Sequence, residues 1–191
     1  MAEFSSWATR ARVPLHFLLA ALLMWLARPT PTLLVGGGAL VVLGLLVRAW
    51  AAGHLRRDKP LTVSGPYAHV RHPLYLGSAL VLAGFALAGG HALVAVAAAA
   101  YFLLLFVPVL RREDKERGRL SELHAEYAAQ VPTLVPRLPF GSAQGLRRPA
   151  NGLEGSERRF QWSVFLSNRE WRAGLGCAAL LVALYLRMIW R

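Results

Sequence analysis

The chain has 191 residues, 55% hydrophobic and 17% charged, with a formal net charge of +12. Its single cysteine, Cys177, excludes an intrachain disulfide. A mean hydropathy of +0.40, with the apolar residues gathered in blocks, excludes an ordinary soluble domain and points to one integral membrane domain over residues 1–191.

Residues 1–12 form a short polar arm carrying Arg10 and Arg12. The first apolar run, 13–27, closes at Arg28-Pro29-Thr30-Pro31. It is short for a bilayer span, but Trp7 and Trp25 can mark the two interfaces. It has no convincing small-residue cleavage site, so no cleavable signal peptide is expected. The second run, 32–52, contains Gly36, Gly37 and Gly38. In a membrane helix such glycines permit close approach of a neighbour. Arg48, near the end of that run, is expected to snorkel towards the headgroups.

The loop 54–72 carries Arg56, Arg57, Lys59 and Arg71. It leads into the stretch densest in groups capable of chemistry, Gly65-Pro66-Tyr67-Ala68-His69-Val70-Arg71-His72-Pro73-Leu74-Tyr75-Leu76-Gly77. Each X-Pro bond pushes the preceding residue out of helical geometry. Pro73 suits the first turn of a new helix. The third run, 74–88, and the fourth, 93–110, are separated only by Gly89-Gly90-His91, so they read as a tight helical hairpin. Pro108 is expected to kink the fourth helix.

Residues 111–136 are charged and helical in pattern. Leu120, Leu123, Tyr127 and Val131 fall on one face, and Pro132 and Pro136 end the helix. Glu113 and Glu116 are spaced to share a face. Residues 141–155 read as a flexible loop. Phe160, Trp162, Phe165, Leu166 and Trp171 mark an interfacial segment. A fifth apolar run, 173–190, is interrupted by Arg187 and is expected to span with that arginine snorkelling. The fold class is therefore an all-α membrane protein, a bundle of about five transmembrane helices. Its core is 32–137; the loop, interfacial segment and fifth helix make up 138–191.

Lys and Arg are dense in the N-terminal arm, between runs two and three, and after run four. They are absent from the hairpin turn. The positive-inside rule places the N-terminus, the loop 65–77 and the segment after Leu110 on the cytoplasmic side. The same distribution explains the basic charge without nucleic acid. His69 and His72 form an H-x-x-H pair, but Pro73 argues against one helix presenting both, and no third ligand is near. No metal site is expected. What remains is a constellation at the open end of the hairpin. Tyr67, Arg71, His72 and Tyr75 precede the third helix; Arg111, Arg112, Glu113 and Glu116 follow the fourth. Aromatic faces and carboxylates together suit a small cationic ligand. An ordinary charged membrane rim, with the arginines on headgroups, would carry the same residues.

The stretch Gly65-Pro66-Tyr67, Arg71-His72-Pro73, Tyr75 and Gly77 resembles the signature of the isoprenylcysteine carboxyl methyltransferase family, which is related to the membrane phospholipid N-methyltransferases. A second part follows at similar distance: Arg112-Glu113-Asp114, Leu123, Tyr127, and Val131-Pro132 with Val135-Pro136-Arg137. The resemblance covers roughly residues 40–137. It implies S-adenosylmethionine as methyl donor, a cofactor pocket on the cytosolic face, and a lipophilic acceptor drawn from the membrane lipids. Carried over, Tyr67, Arg71, His72, Pro73, Tyr75, Leu76, Gly77 and Glu113 would bind the cofactor. Arg111 and Arg112 would face the acceptor, and Arg112, Glu113 and Glu116 would serve the transfer itself. Where the family has Phe-Gly this chain has Leu123-His124, and the stretch from Glu113 to Tyr127 is two residues longer. Two residues turn a helix by about 200°, which leaves open whether Glu113 or Glu116 faces the site.

A carboxylate acceptor needs a cation to orient it, for which Arg111 or Arg112 would serve. An amine acceptor must be neutral, which calls for Glu113, Glu116 or His124. Carboxyl O-methylation of an isoprenylcysteine-type substrate is the expected activity. The rivals are amine N-methylation of a phospholipid, a nicotinamide-dependent sterol reductase on a similar core, and a non-catalytic lipid-binding or assembly protein.

Overall fold

The computed structural model describes residues 2–55, 61–120, 122–135 and 159–190. Its elements are helical: α1 (Ala2–Leu26), α2 (Pro31–Ala52), α3 (Pro73–Gly89) and α4 (Ala92–Tyr101), then α5 (Val107–Leu120), α6 (Glu122–Gln130), α7 (Trp162–Ser167) and α8 (Trp171–Ile189). No strand occurs among the described residues. Pro31–Ala52, Ala92–Glu116 and Trp171–Ile189 are long and apolar enough to cross a membrane; Pro14–Leu26 and Pro73–Gly89 are apolar but shorter. Large apolar side chains such as Phe17, Trp25, Val35, Val96 and Leu104 point outwards and are exposed. That surface suits lipid, not water.

α1 is longer than its apolar run, because the polar arm is helical and continuous with it through Pro14. The backbone then turns at Arg28, whose N–H donates to Gly89 O at 2.7 Å and so ties the end of α1 to the end of α3. Thr30 Oγ1 accepts from Leu33 N–H at 3.4 Å and Pro31 opens α2, the arrangement a helix start favours.

α2 and α3 pack most closely, and glycines explain why. A Cβ on Gly84 would lie 2.6 Å from Gly37 O, and one on Gly77 would lie 2.7 Å from Gly44 O. Seven residues separate the two glycines on each helix, so the pairs stack along one seam. Of the three consecutive glycines only Gly37 meets this seam. Gly36 is in ordinary contact with Leu87, and a Cβ on Gly38 would meet nothing. The α3–α4 hairpin forms as expected. Gly90 has a φ of 61°, a left-handed C-cap open to glycine, and the His91 side chain caps α4 by accepting from Leu93 N–H.

Ahead of Pro108, where a kink is expected, the helix carries a wide turn. Pro108 has no N–H to donate and its ring crowds the preceding turn. The chain answers with one π turn, Phe102–Phe106, in which Val107 N–H reaches back to Phe102 O. α4 therefore runs on into α5.

Two arginines behave differently from the expectation of snorkelling. Arg48 donates to Glu170 Oε2 at 2.7 and 3.0 Å and to Ser78 Oγ at 2.5 Å. A counter-charge at the start of α8 replaces the headgroups. Arg187, in the last turn of α8, donates to Trp25 O at 2.8 Å and Ala27 O at 3.0 Å. Those carbonyls end α1 and have no intrahelical donor. α8 is thus fastened at both ends and runs antiparallel to α2. Ahead of it, Asn168 Nδ2 donates to Ala52 O and Leu55 O, and Gln161 N–H donates to Gly53 O. The segment read as interfacial serves to cap the end of α2. The loop 141–155, Arg56, Arg57, Lys59, Pro136 and Arg137 lie outside the described residues, as do the side chains of Leu120, Leu123 and His124.

Candidate active site

The loop between α2 and α3 is shaped by its backbone. Gly65, with φ 59°, begins a 3-10 turn over Gly65–Ala68, and a Cβ there would strike the His54 ring. Pro73 is the first residue of α3, and His72 sits at its N-cap with φ −126°. The segment after α6 holds the loop in place. Arg71 N–H donates to Pro132 O at 2.9 Å, and His72 N–H donates to Thr133 O at 3.2 Å. The Tyr127 hydroxyl donates to Tyr67 O at 2.6 Å. Tyr127 and Val131 are buried, so the α6 face expected from the pattern packs inwards at those two positions.

Side chains from this loop meet the middle of α5. Asp114 accepts from Arg71 Nη1 at 3.0 Å and lies 2.9 Å from His72 Nε2, so each of its oxygens has a partner. Tyr75 donates its hydroxyl to Glu113 Oε1 at 2.9 Å. Glu113 Oε2 stands 3.9 Å from His72 Nδ1. Consecutive residues on a helix point about 100° apart. Glu113 and Asp114 therefore take the His72 ring from two sides. His72 is buried, while Glu113 keeps about a third of its side chain open.

This cluster forms the polar end of a cavity of about 730 Å³. Tyr67, Arg71, His72, Pro73, Tyr75 and Glu113 line that end, with Arg48 and Ser78 beside them. Apart from His16 of α1, the other walls are mostly apolar: Leu19, Ala20 and Leu23 of α1, Val81, Leu82 and Phe85 of α3, and Gly176 and Leu180 of α8. Arg71 carries the one buried side-chain atom that has no hydrogen-bond partner among the described residues, its Nε.

The expected constellation divides here. Leu76 and Gly77 do not line the cavity. Gly77 faces α2 instead, where a Cβ would lie 2.5 Å from Arg48 Cγ. Its lack of a side chain serves helix packing. Arg111, Arg112 and Glu116 are exposed, and Arg112 Nε pairs with Glu116 Oε1 at 2.5 Å, one turn along α5. They stand outside the cavity because α5 presents Glu113 to it, and Glu116 lies nearly a full turn further on, level with solvent. Reading the sequence missed Asp114 as the shared partner of Arg71 and His72. Its place beside Glu113 was the available signal, since a loop crossing a helix end can use two adjacent acids. Nothing in the sequence marked Arg48, Ser78 or the α8 residues.

The stretch from α2 to the first turns of α5 also carries a family likeness. Residues 32–116 match the model of the phospholipid methyltransferase family. That family belongs to the isoprenylcysteine carboxyl methyltransferase-like group, and it is a family of membrane methyltransferases. The matched segment supplies His72, Tyr75, Glu113 and Asp114, whereas α1, α6 and α8 lie beyond it. Two curated relatives are similar. The cobalt-zinc-cadmium resistance protein CzcN of Cupriavidus metallidurans is 37% identical over 135 residues, 66% of this chain and 62% of its own. The nickel-cobalt-cadmium resistance protein NccN of Alcaligenes xylosoxydans xylosoxydans is 31% identical over 100 residues, 51% of this chain and 47% of its own. The chain thus spans less than two thirds of either relative. No solved structure matches.

Proposed function

We propose that this protein transfers a methyl group from S-adenosylmethionine to a lipophilic acceptor held in the membrane cavity. The observation that carries this reading is the His72–Tyr75–Glu113 cluster, built by the matched segment, at the polar end of a largely apolar cavity. The residues fit the donor's chemistry. The Glu113 carboxylate and the Tyr75 and His72 rings suit a sulfonium cation. The orphaned Arg71 Nε suits a carboxylate. Tyr67 and Pro73 shape the same wall. When bound, the donor supplies an electrophilic methyl group on positively charged sulfur.

The chain's own contribution is to position and to exclude water. The apolar faces of α1, α3 and α8 give an acceptor's tail a dry path to the cluster. The geometry favours an amine acceptor over a carboxylate. Arg111 and Arg112 stand outside the cavity; on its wall Arg48 is paired with Glu170, and Arg71 is paired with Asp114 and keeps only its Nε, which the donor's own carboxylate would take. Glu113 Oε2 is placed to take the proton that an ammonium must lose before it attacks. The family description supports the same choice. Carboxyl methylation of a prenylated cysteine is the alternative, and the cytoplasmic placement of the polar end follows from the charge bias. The relatives' names concern resistance to divalent metals, and we infer a contribution of the same kind made through a modified membrane lipid.

The test is direct. Purified protein in detergent is titrated with S-adenosylhomocysteine by calorimetry, then given methyl-labelled S-adenosylmethionine with either phosphatidylethanolamine or N-acetyl-S-farnesylcysteine. Binding, with label entering phosphatidylethanolamine, supports the proposal. Absence of binding at high micromolar concentration, or binding of NADPH in its place, overturns it. Donor binding without label in either lipid returns the non-catalytic reading.

A further inference from the structure

The cavity that carries the charged cluster opens sideways. Of the described residues that line it, three are exposed: His16 and Phe17 on α1, and Gly176 on α8. The others are buried or half-buried, so the mouth lies between those two helices. Phe17 falls in the apolar stretch Pro14–Leu26, and Gly176 in Trp171–Ile189, which is long and apolar enough to span. Leu18 and Leu175, their neighbours in the chain, are exposed as well. A rim of this kind belongs in hydrocarbon, so the mouth faces lipid instead of water.

The cleft between α1 and α8 has one closed end. Arg187 joins the last turns of the two helices by donating to Trp25 O and Ala27 O, and Leu23, Ala27 and Leu184 are buried together there. Phe17 and Gly176 stand ten and eleven residues before the Ala27–Arg187 contact, about 15 Å back along each helix. Gly176 has no packing reason to lack a side chain. A Cβ on Gly37, Gly44, Gly77 or Gly84 would strike a neighbouring helix, whereas one on Gly176 would meet nothing within 4 Å. Glycine weakens a helix interior, and what it leaves here is room at the mouth. A second groove, of about 690 Å³, runs between α3 and α4, and Leu82, Ala86 and Ala98 line both spaces. None of those three is exposed, so they wall the groove off from the cavity.

We propose that the acceptor's acyl chains enter and lie through the cleft between α1 and α8, and that Gly176 sets the width the cleft admits. The occupant is a lipid chain, because the mouth is apolar, opens within the membrane stretches of both helices, and is continuous with the cavity whose polar end the methyl donor would occupy. The inference deepens the reading of a lipid amine acceptor and rests on it. With the head at the Glu113 end, long chains pass out beside Gly176 into the bilayer, whereas short chains end inside the cavity. Gly176 is thus a specificity-determining residue: it borders the acceptor's chains and takes no part in bond making. Both helices of the cleft lie beyond the matched segment.

The experiment uses the full chain in dodecylmaltoside. Methylation is measured with dihexanoyl and with dioleoyl phosphatidylethanolamine, and S-adenosylhomocysteine binding by calorimetry. In Gly176→Trp, KM for the dioleoyl lipid rises about tenfold, while KM for the dihexanoyl lipid and S-adenosylhomocysteine affinity stay as in wild type. Gly176→Leu, which introduces a good helix former, shows a smaller rise of the same kind, and Gly176→Ala shows none. Gly174→Trp, on α8 but away from the cavity, and Ala95→Trp, in the groove between α3 and α4, change neither KM. The inference falls if Gly176→Trp and Gly176→Leu leave the dioleoyl KM unmoved, raise both KM values equally or lose S-adenosylhomocysteine binding. It falls equally if Ala95→Trp raises the dioleoyl KM instead, or if wild type binds S-adenosylhomocysteine and methylates neither phospholipid. If S-adenosylhomocysteine itself does not bind wild type, the methyltransferase reading fails first, and the two failures are told apart.

Discussion

Glu113 and Glu116 are separated by one turn of α5 and by the boundary between cavity and solvent. Glu113 lines the cavity and receives the Tyr75 hydroxyl, while Glu116 pairs with Arg112 in the open. Glu113→Gln should therefore weaken S-adenosylmethionine binding about tenfold and leave S-adenosylhomocysteine, whose sulfur is neutral, nearly unaffected. Glu116→Gln should change neither, since an exposed pair contributes little. Calorimetry with both ligands checks this. Asp114 holds two cations of the loop at once. Asp114→Asn removes that charge and should cost about 2 kcal/mol, read as a lower thermal midpoint together with weaker S-adenosylhomocysteine binding. His72→Ala should lose ligand affinity without a comparable loss of stability, because Asp114 keeps Arg71.

The helices are held by two different devices. Along the α2–α3 seam, backbone meets backbone at Gly37, Gly44, Gly77 and Gly84. Gly84→Val would press on Gly37 O and on Val41, and such overpacking costs about 1–3 kcal/mol. Gly38→Val, facing nothing, should be close to neutral. Thermal unfolding in one detergent compares the two. α8 is held by polar contacts at its ends, with Arg48–Glu170 the central one. Arg48→Met and Glu170→Gln should each loosen the cavity wall, and the double variant should cost much less than their sum, because each leaves the other partner stranded. A double-mutant cycle on stability measures that coupling.

At the scale of the molecule, three helices are long and apolar enough to cross a membrane, and the charged cluster gathers at one end of them. Arg48 and Glu170, the loop before α3 and the middle of α5 share that end. Gly90, the end of α1 and Arg187 share the opposite end. Cys177→Ser protein carrying one new cysteine, at Glu116 or at His91, should react with an impermeant maleimide from opposite sides of sealed vesicles. Labelling of Glu116→Cys from the cytoplasmic side follows from the charge bias. Labelling of both positions from one side would refute the arrangement.

The sequence by itself determined what composition and local stereochemistry control. Apolar blocks set the helices, Gly90 and the prolines set where they turn, and Pro73 with the dense loop before it marked the region of the site. Those are properties of neighbours along the chain. Which acid enters the cavity, which glycines touch, and where Arg48 and Arg187 find their partners depend on residues far apart in sequence. Arg48 and Glu170 are 122 positions apart, and no periodicity links them. The resemblance implies Gly77 at the cofactor because it reports a pattern of residue types; the packing of α2 on α3 adds that this glycine also meets a neighbouring helix.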